Sequence, residues 1–564
     1  MKHFLKVFLC ICTFATEAQN AVFIPDTLSG PIYSITMHPD SVQFFPGKKS
    51  HTFAYNTNKY LGPTLLFKKG TLVTINVKNL VNDTTTVHWH GIHLPAKWDG
   101  GPHSPVLPNA GWNPQFKVMD HAATFWYHPH MHMKTAEQAI KGAAGLIIVR
   151  DSAEATLLLP RKYGIDDFPL VVQCQQYDSL NQAMPLGMRD STLLVNGTMN
   201  PYLNAPAQVV RLRLLNASGE RTFNFGFSAN KQFYQIASDG GLLNAPINTT
   251  RLRLSPGERG EILLNLTAMA TQTLSLMCYG SELPMGIQGG PTMPMPPGSP
   301  PMDSPLNGID YNIMKINVVS PTTGSITSIP NSLTLNTPLS ESSANAKRKI
   351  RFTADSAMVM DGPFYFNDST FDIKRIDYRI PLNSTEIWTL VNKTMVAHPF
   401  HMHDVQFFLL DRNGIAVDPQ EKGRKDVVLV APEDSVRFIT KFEDFTDEQI
   451  PYMYHCHILM HEDAGMMGQF IVSSNALGIQ KSVAVIDELI VYPNPGSTVL
   501  LLQINGKNTI QTYSVIDVLG KEIINGKCAG TGIERIDISI LPAGVYFLRV
   551  KMPDGILEKK FIKE

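Results

Sequence analysis

Ten of the seventeen histidines in this chain stand in four short clusters, and no other feature limits its fold and chemistry as tightly. The clusters are His88-Trp-His90, His128-Pro-His130, His398-Pro-Phe-His401-Met-His403, and His455-Cys456-His457 followed by His461 and Met466. On a β-strand, residues i and i+2 share a face, so a single His-x-His pair is an ordinary surface ladder. Four clusters with different internal spacings call for a common centre. Neutral imidazole suits copper, and thiolate and thioether suit Cu(I); two His, one Cys and a weak axial Met make the ligand set of a blue electron-transfer copper. His398, Cys456, His461 and Met466 supply that set, with Met467 as the competing thioether. Alternation along a strand turns Cys456 to one face and His455 and His457 to the other. A short covalent route therefore runs from one metal, through the backbone, to a second metal cluster.

Such a cage needs a rigid scaffold, and the rest of the sequence describes one. Runs of alternating apolar residues (Leu72–Val77, Val209–Leu215, Glu261–Leu266, Ile387–Val391, Ser435–Thr440) are separated by turn residues, and the chain carries 39 Pro and 40 Gly. This is the pattern of an all-β chain of sandwiches. A weak internal repeat links 63–92 to 376–403 and 125–132 to 452–461, each pairing strands with a His cluster. The middle stretch repeats the strands (VVRLRLLNAS, GERGEILLNL) without one. We expect three related sandwiches at 30–150, 155–318 and 335–475, with metal ligands in the first and third only. The segment 284–305, rich in Pro, Gly and Met (Met285, Met293, Met295, Met302), is expected to be a loop. A net charge of −1 with scattered Lys and Arg points to no nucleic-acid or anionic-membrane partner.

The two ends read as export signals. Lys2 and Lys6 precede the apolar run Val7–Ala15, too short to span a bilayer, and a small-residue cleavage site follows, so 1–18 is expected to be a signal peptide. No other stretch is long and apolar enough for a transmembrane helix. Residues 484–564, with VYPNP, DVLGKEI, DIS and LPAGVYFLRV, resemble the C-terminal sorting domain of the type IX secretion system, which implies a fourth, small β-sandwich and export to the medium or the cell surface. Four cysteines remain beyond the leader; Cys174 and Cys278 fall in one expected domain, where oxidising surroundings permit a disulfide that sequence cannot assign.

HWHGI…WDGGP, WYHPHMHMKTAEQ, HPFHMHDVQFFLL and HCHILMHEDAGMMGQF together resemble the multicopper oxidases over about 450 residues, most of all bacterial laccases, cuprous oxidases and bilirubin oxidases. The resemblance implies three cupredoxin-like Greek-key sandwiches and four copper ions: one type 1, one type 2 and two type 3. It assigns His88 and His401 to type 2, His90, His128 and His457 to one type 3 ion, and His130, His403 and His455 to the other. The reaction it implies is four one-electron oxidations of a small donor coupled to reduction of O2 to water. Asp99 and Glu462 match the family's acidic positions and are expected to relay protons. Asp99 also fits a turn residue before Gly100-Gly101, Glu462 a hydrogen-bonding support for a ligand, and Asp463 is the neighbouring alternative. Of the remaining histidines none is expected to bind metal, His93 being the nearest exception. A laccase acting on phenols and aromatic amines is the first expectation. Cuprous oxidation is the alternative: the Met-rich segment favours it, whereas Thr394 stands where cuprous oxidases carry an acidic residue. A copper nitrite reductase, with two sandwiches and no eight-histidine set, and a non-enzymatic copper-binding protein are the rival classes.

Overall fold

A computed structural model describes residues 19–56, 60–185, 189–292, 303–356, 362–474, 488–505, 511–518, 520–528, 534–552 and 555–564. The expected signal peptide and Met293, Met295 and Met302 lie outside the described residues. The chain forms two compact units, Met1–Gly478 and Ile479–Glu564.

The first unit is all-β and holds three two-sheet cores. In the N-terminal one, strands Thr27–Ser29, Thr64–Lys68, Gly145–Arg150, Ala123–His128 and His88–His90 form one sheet in that order, facing a sheet built on Ser50–Tyr55, Ile32–Val42 and Leu72–Asn79. Tyr33, Ile35, Phe67, Ile75, Trp89, Phe125 and Ile147 fill the space between. The middle core packs a large sheet centred on Asp167–Tyr177, Val209–Asn216 and Arg259–Asn265 against one containing Asp310–Val319 and Thr273–Tyr279. In the third, Tyr378–Pro381, Met467–Ser473, Tyr452–Cys456, His398–Met402 and Val427–Val430 make a sheet in that order, opposite one centred on Thr385–Asn392 and Ser435–Lys441.

The first and third cores share a local pattern. In each, one strand runs parallel to the next (Thr64–Lys68 with Gly145–Arg150; Tyr378–Pro381 with Met467–Ser473), then an antiparallel strand ends in a metal-type residue beside a His-bearing strand. The outer strand Leu72–Asn79 alternates between buried and exposed residues, as a sheet with one wet face must. Ala123–His128 and Tyr452–Cys456 are buried throughout. One face of each belongs to its own core, and the other is covered by a neighbouring domain. The histidines lie on that second face.

Cys174 and Cys278 are both buried in the middle core and both are free thiols. The segment from Leu283 to Gly290 is a run of turns held against the third core: Gly286 O accepts from Ala397 N at 2.8 Å, and Gln288 donates to Ala397 O at 3.0 Å.

The second unit has a three-stranded sheet (Glu488–Tyr492, Val499–Asn505, Glu534–Asp537) and a four-stranded one (Glu522–Lys527, Thr512–Ile516, Gly544–Met552, Gly555–Lys563) among its described residues. Leu500, Leu502, Val515, Ile536, Leu548, Val550 and Phe561 form its core. No described helix is long and apolar enough to cross a membrane.

Candidate metal centres

Strand pairing gathers the four clusters. His88 lies opposite His128 across the Ala123–His128 strand, and His401 lies opposite His455 across Tyr452–Cys456. The two sheets meet so that eight imidazoles share one buried space, none more than 1% exposed. His90, His128 and His457 bring one nitrogen each within 4.8 Å of the others; so do His130, His403 and His455, and so do His88, His90 and His401. His88 stacks on His403, and His90 on His401, with ring centroids 3.8 Å apart in both pairs.

Six of the eight rings are aimed by a hydrogen bond at the outer nitrogen. The Nδ1–H groups of His88, His128, His401 and His455 donate to the carbonyls of Asp99 (2.9 Å), Pro129 (2.8 Å), Asp426 (2.8 Å) and Cys456 (3.0 Å). His403 Nδ1 meets Asp99 Oδ2 at 2.7 Å. These bonds leave Nε2 pointing inward, and Nε2 of His88, His401 and His403 and both nitrogens of His457 have no hydrogen-bond partner. His130 and His455 face one another Nε2 to Nε2 at 3.1 Å. His90 is reversed: its Nε2 meets Asp426 Oδ1 at 3.1 Å, and its Nδ1 lies 3.4 Å from His128 Nε2.

Buried nitrogens without partners are costly unless something satisfies them. Burial first, then neighbouring imidazoles, hold His90, His128, His130, His401 and His455 well below the ordinary histidine range. Burial likewise lowers His403 to about 4, against the pull of Asp99, and His457 to about 3. Seven of the imidazoles are thus held neutral as they converge on one space, the donor type and protonation state that copper takes.

Two carboxylates border the cage and are tuned in opposite directions. Asp99 is buried, which opposes its charge, but His403 and His88 outweigh burial and hold it well below the usual carboxylate range. The turn that brings it there needs glycine at 100: φ is +80°, and a Cβ would sit 1.8 Å from Val87 O. Glu462 is also buried, 3.3 Å from His130 Nδ1 and 3.2 Å from His455 Nδ1, and burial, aided by Asp463, raises it well above the usual range. Asp463 points away, accepting from the backbone N–H groups of Thr135 and Ala136 at 3.0 and 2.9 Å.

On the other face of the Tyr452–Cys456 strand, Cys456 Sγ lies 3.5 Å from His398 Nδ1 and 3.6 Å from His461 Nδ1. Thr394 Oγ1 fixes His398 through Nε2 at 2.8 Å. Phe364 lies 4.7 and 4.5 Å from the two imidazole centroids. Burial keeps both imidazoles neutral, lowering His461 to about 3, and pushes the Cys456 thiol up, so that only a bound cation would turn it into thiolate. Met466 shares the buried core of Cys456, and its main chain closes the loop: Met466 O accepts from Cys456 N at 3.0 Å, and Met466 N donates to His461 O at 2.8 Å. Met467 packs instead with Phe371 and Met453, and Met453 stands two residues before His455 on the cage-side face. Of the two thioethers, Met466 is the one on the Cys456 side.

Among the other histidines, His93 is clasped by Asp404 (2.8 Å) and Asp444 (3.1 Å), and His103 meets Gln469 at 2.8 Å. Neither joins the cage. Asp426 and Arg259 were not foreseen. Asp426 stands alone before the apolar strand Val427–Val430, and only the pairing of that strand with His398–Met402 brings it to the imidazoles.

Multicopper oxidase family models match residues 36–154, 170–287 and 343–476, and a secretion system C-terminal sorting domain model matches 490–564. A multicopper oxidase of Staphylococcus haemolyticus is 32% identical over 476 residues, 82% of this chain and 94% of its own length. The cell division protein FtsP of Escherichia coli is 29% identical over 469 residues, 81% of this chain and 94% of that protein. Among solved structures, a laccase-like multicopper oxidase from Ochrobactrum sp., with oxidase activity towards lignin model compounds and lignosulfonate, is 30% identical with a TM-score of 0.70, covering 80% of this chain and all of that one.

Proposed function

This chain belongs to the multicopper oxidase family of copper-dependent oxidoreductases, and we propose that it is a laccase-like member, taking single electrons from phenols or aromatic amines and reducing O2 to water. The observation that carries this reading is the Tyr452–Cys456 strand, with the thiol between two imidazoles on one face and the eight-imidazole cage on the other. His398, Cys456, His461 and Met466 would hold the type 1 ion. His88 and His401 would hold type 2, with His90, His128 and His457, and His130, His403 and His455, for the type 3 pair. Copper at these positions supplies the one-electron redox steps and the binding of O2.

The protein's own groups do the remaining work. His461 is the most exposed of the twelve residues assigned as ligands, at 7%, and we take it as the entry point for an electron. From Cys456 the electron crosses one peptide unit to His455 or His457. Glu462, protonated and beside His130 and His455, is the group able to give a proton at the cage. Asp99, ionised and bonded to His403 and His88, is the group able to take one up and to hold both rings in the Nε2-inward orientation. Two carboxyl groups pushed apart in this way divide the donor and acceptor roles. The buried cage keeps bulk water from the reacting oxygen.

Purified protein should be blue, hold about four coppers per chain and consume O2 with a phenolic donor. Blue colour without O2 consumption would mean a copper-binding protein and sink the enzymatic reading; nitrite turnover would point to a reductase. Cuprous oxidation is the second reading, favoured by one observation: Met285 and Met395 expose their side chains on the two segments that Gly286 and Ala397 bond together, three residues from His398. Against it, Thr394 places a hydroxyl where a carboxylate would attract Cu(I). Paired kinetics with Cu(I) and a phenol separate the two readings. The sorting-domain match supports export, which we assign to the type IX machinery with attachment at, or release from, the cell surface.

A further inference from the structure

We propose that Arg259, on the histidine-free middle domain, is a positioning residue for the imidazole cage and acts through Asp426; the inference rests on the cage reading above. Asp426 holds two cage imidazoles at once. Its carboxylate takes His90 Nε2 at 3.1 Å and its carbonyl takes His401 Nδ1 at 2.8 Å. The first contact reverses His90, presenting Nδ1 to the cage where its neighbours present Nε2. A histidine's inward nitrogen is set by the bond its other nitrogen makes, so the orientation of His90 depends on where the Asp426 carboxylate sits.

Arg259 fixes that place. Its two terminal nitrogens meet the two carboxylate oxygens of Asp426 at 2.6 Å each, a bidentate fork that sets direction as well as distance. Arg259 is itself locked. Its Nε donates to Thr124 O at 3.0 Å, on the strand that ends at His128, and Nη2 donates to Asp239 O at 3.1 Å. Asp239 in turn accepts from Arg259 N at 2.8 Å and from Asp426 N at 3.3 Å. One guanidinium therefore ties the first, middle and third domains at the point where His90 is oriented. The fit has no slack. Gly91, next to His90, has φ +85°, and a Cβ there would stand 2.4 Å from Asp426 Oδ2 and 2.7 Å from Arg259 Nη2.

A buried ion pair can also be no more than interdomain glue, and the molecule contains a control for that. Arg213 is equally buried, bonds Asp167 and Glu261 within the middle domain and Thr124 of the first, and touches no imidazole among the described residues. Arg259→Lys keeps the charge and loses the fork. It should leave the visible band of the Cys456 copper and its anaerobic reduction rate unchanged. It should alter the paramagnetic resonance and near-ultraviolet absorption of the cage coppers, lower copper occupancy there, and slow reoxidation by O2 about 10- to 100-fold, the usual cost of losing a support behind a metal ligand. Arg213→Lys should lower the melting temperature without moving any of those signals. Should Arg259→Lys fail to fold, Arg259→Met combined with Asp426→Asn removes both buried charges and should show the same altered cage beside an intact visible band. Cage spectra like the wild type's in a folded Arg259 variant, or the same change in Arg213→Lys, overturn the inference. Wild-type protein without any cage copper overturns the reading beneath it instead.

Discussion

The two faces of the Tyr452–Cys456 strand are equally dry and differently furnished. On the Cys456 side, the imidazoles of His398 and His461 meet a thiol, a hydroxyl and Phe364, and no carboxylate pairs with either among the described residues. On the cage side, Asp99, Asp426 and Glu462 each contact two imidazoles. Moving an electron requires a fixed ligand geometry and little else, so an apolar wall serves. Reducing O2 to water consumes protons, and proton delivery needs titratable groups within hydrogen-bond reach. On the proposed function, the contrast separates an electron port from a site of proton-coupled chemistry across one β-strand.

The severest way to break this contrast is to remove the link. Cys456→Ser should abolish the blue band and reduce turnover with any donor to background, while the fold, monitored by circular dichroism, survives a near-isosteric change. A colourless variant that still oxidises phenols would show that electrons reach the cage by another route.

Glu462→Gln tests the proton side alone. The amide keeps the shape but cannot deliver a proton. Reoxidation of reduced protein by O2 should slow by about 10²- to 10⁴-fold, the usual worth of a positioned acid, while anaerobic reduction of the Cys456 site by donor stays unchanged. Stopped-flow measurement of the two half-reactions decides it. Equal slowing of both would mean that Glu462 supports the ligands and carries no proton.

Much of this was legible because the ligand residues are chemically rare and closely spaced. Cys456 and its flanking histidines declare two faces by strand alternation alone, and Asp99 and Glu462 sit in the same motifs as their imidazoles. Asp426 and Arg259 were invisible for the opposite reason. A lone Asp before an apolar strand and an Arg in GERGE look like surface charge, and their role exists only once three domains pack. The middle domain therefore read only as the one without metal ligands, although its Arg259 bears on the cage through Asp426. The interval from Cys456 favours Met466 over Met467 in the sequence, and packing is a separate ground: Met466 shares the core of Cys456, whereas Met467 packs with Phe371 and Met453.

His93 gives a prediction at the rim of the cage side. Burial alone would lower it, but Asp404, Asp120 and Asp444 outweigh burial and raise it to about 10. Because that value lies above the unfolded one, roughly 6.5, His93 contributes stability that is full below about pH 6.5 and is lost as pH climbs towards about 10. His93→Gln should destabilise by about 1–3 kcal/mol at pH 6 and match the wild type near pH 10. Melting temperatures of both proteins across that window supply the check. A gap that does not narrow with pH would mean that His93 is neutral in its clasp.

The smallest expected effect probes the dry side. Thr394 is buried and its hydroxyl reaches His398 Nε2 at 2.8 Å, Asn392 Oδ1 at 2.8 Å and Val396 O at 3.0 Å, so it orients the imidazole without adding charge. Thr394→Val keeps the volume and removes the bond, at a cost of about 0.5–1.5 kcal/mol. The blue band should shift slightly and donor oxidation should change by less than about tenfold, with reoxidation by O2 untouched. Thr394→Asp is the sharper companion, since it puts a carboxylate where the apolar wall excludes one. If the absence of charge there limits Cu(I) as a substrate, Thr394→Asp should raise Cu(I) oxidation relative to phenol oxidation. An unchanged ratio would locate donor choice in the loop that carries Met285.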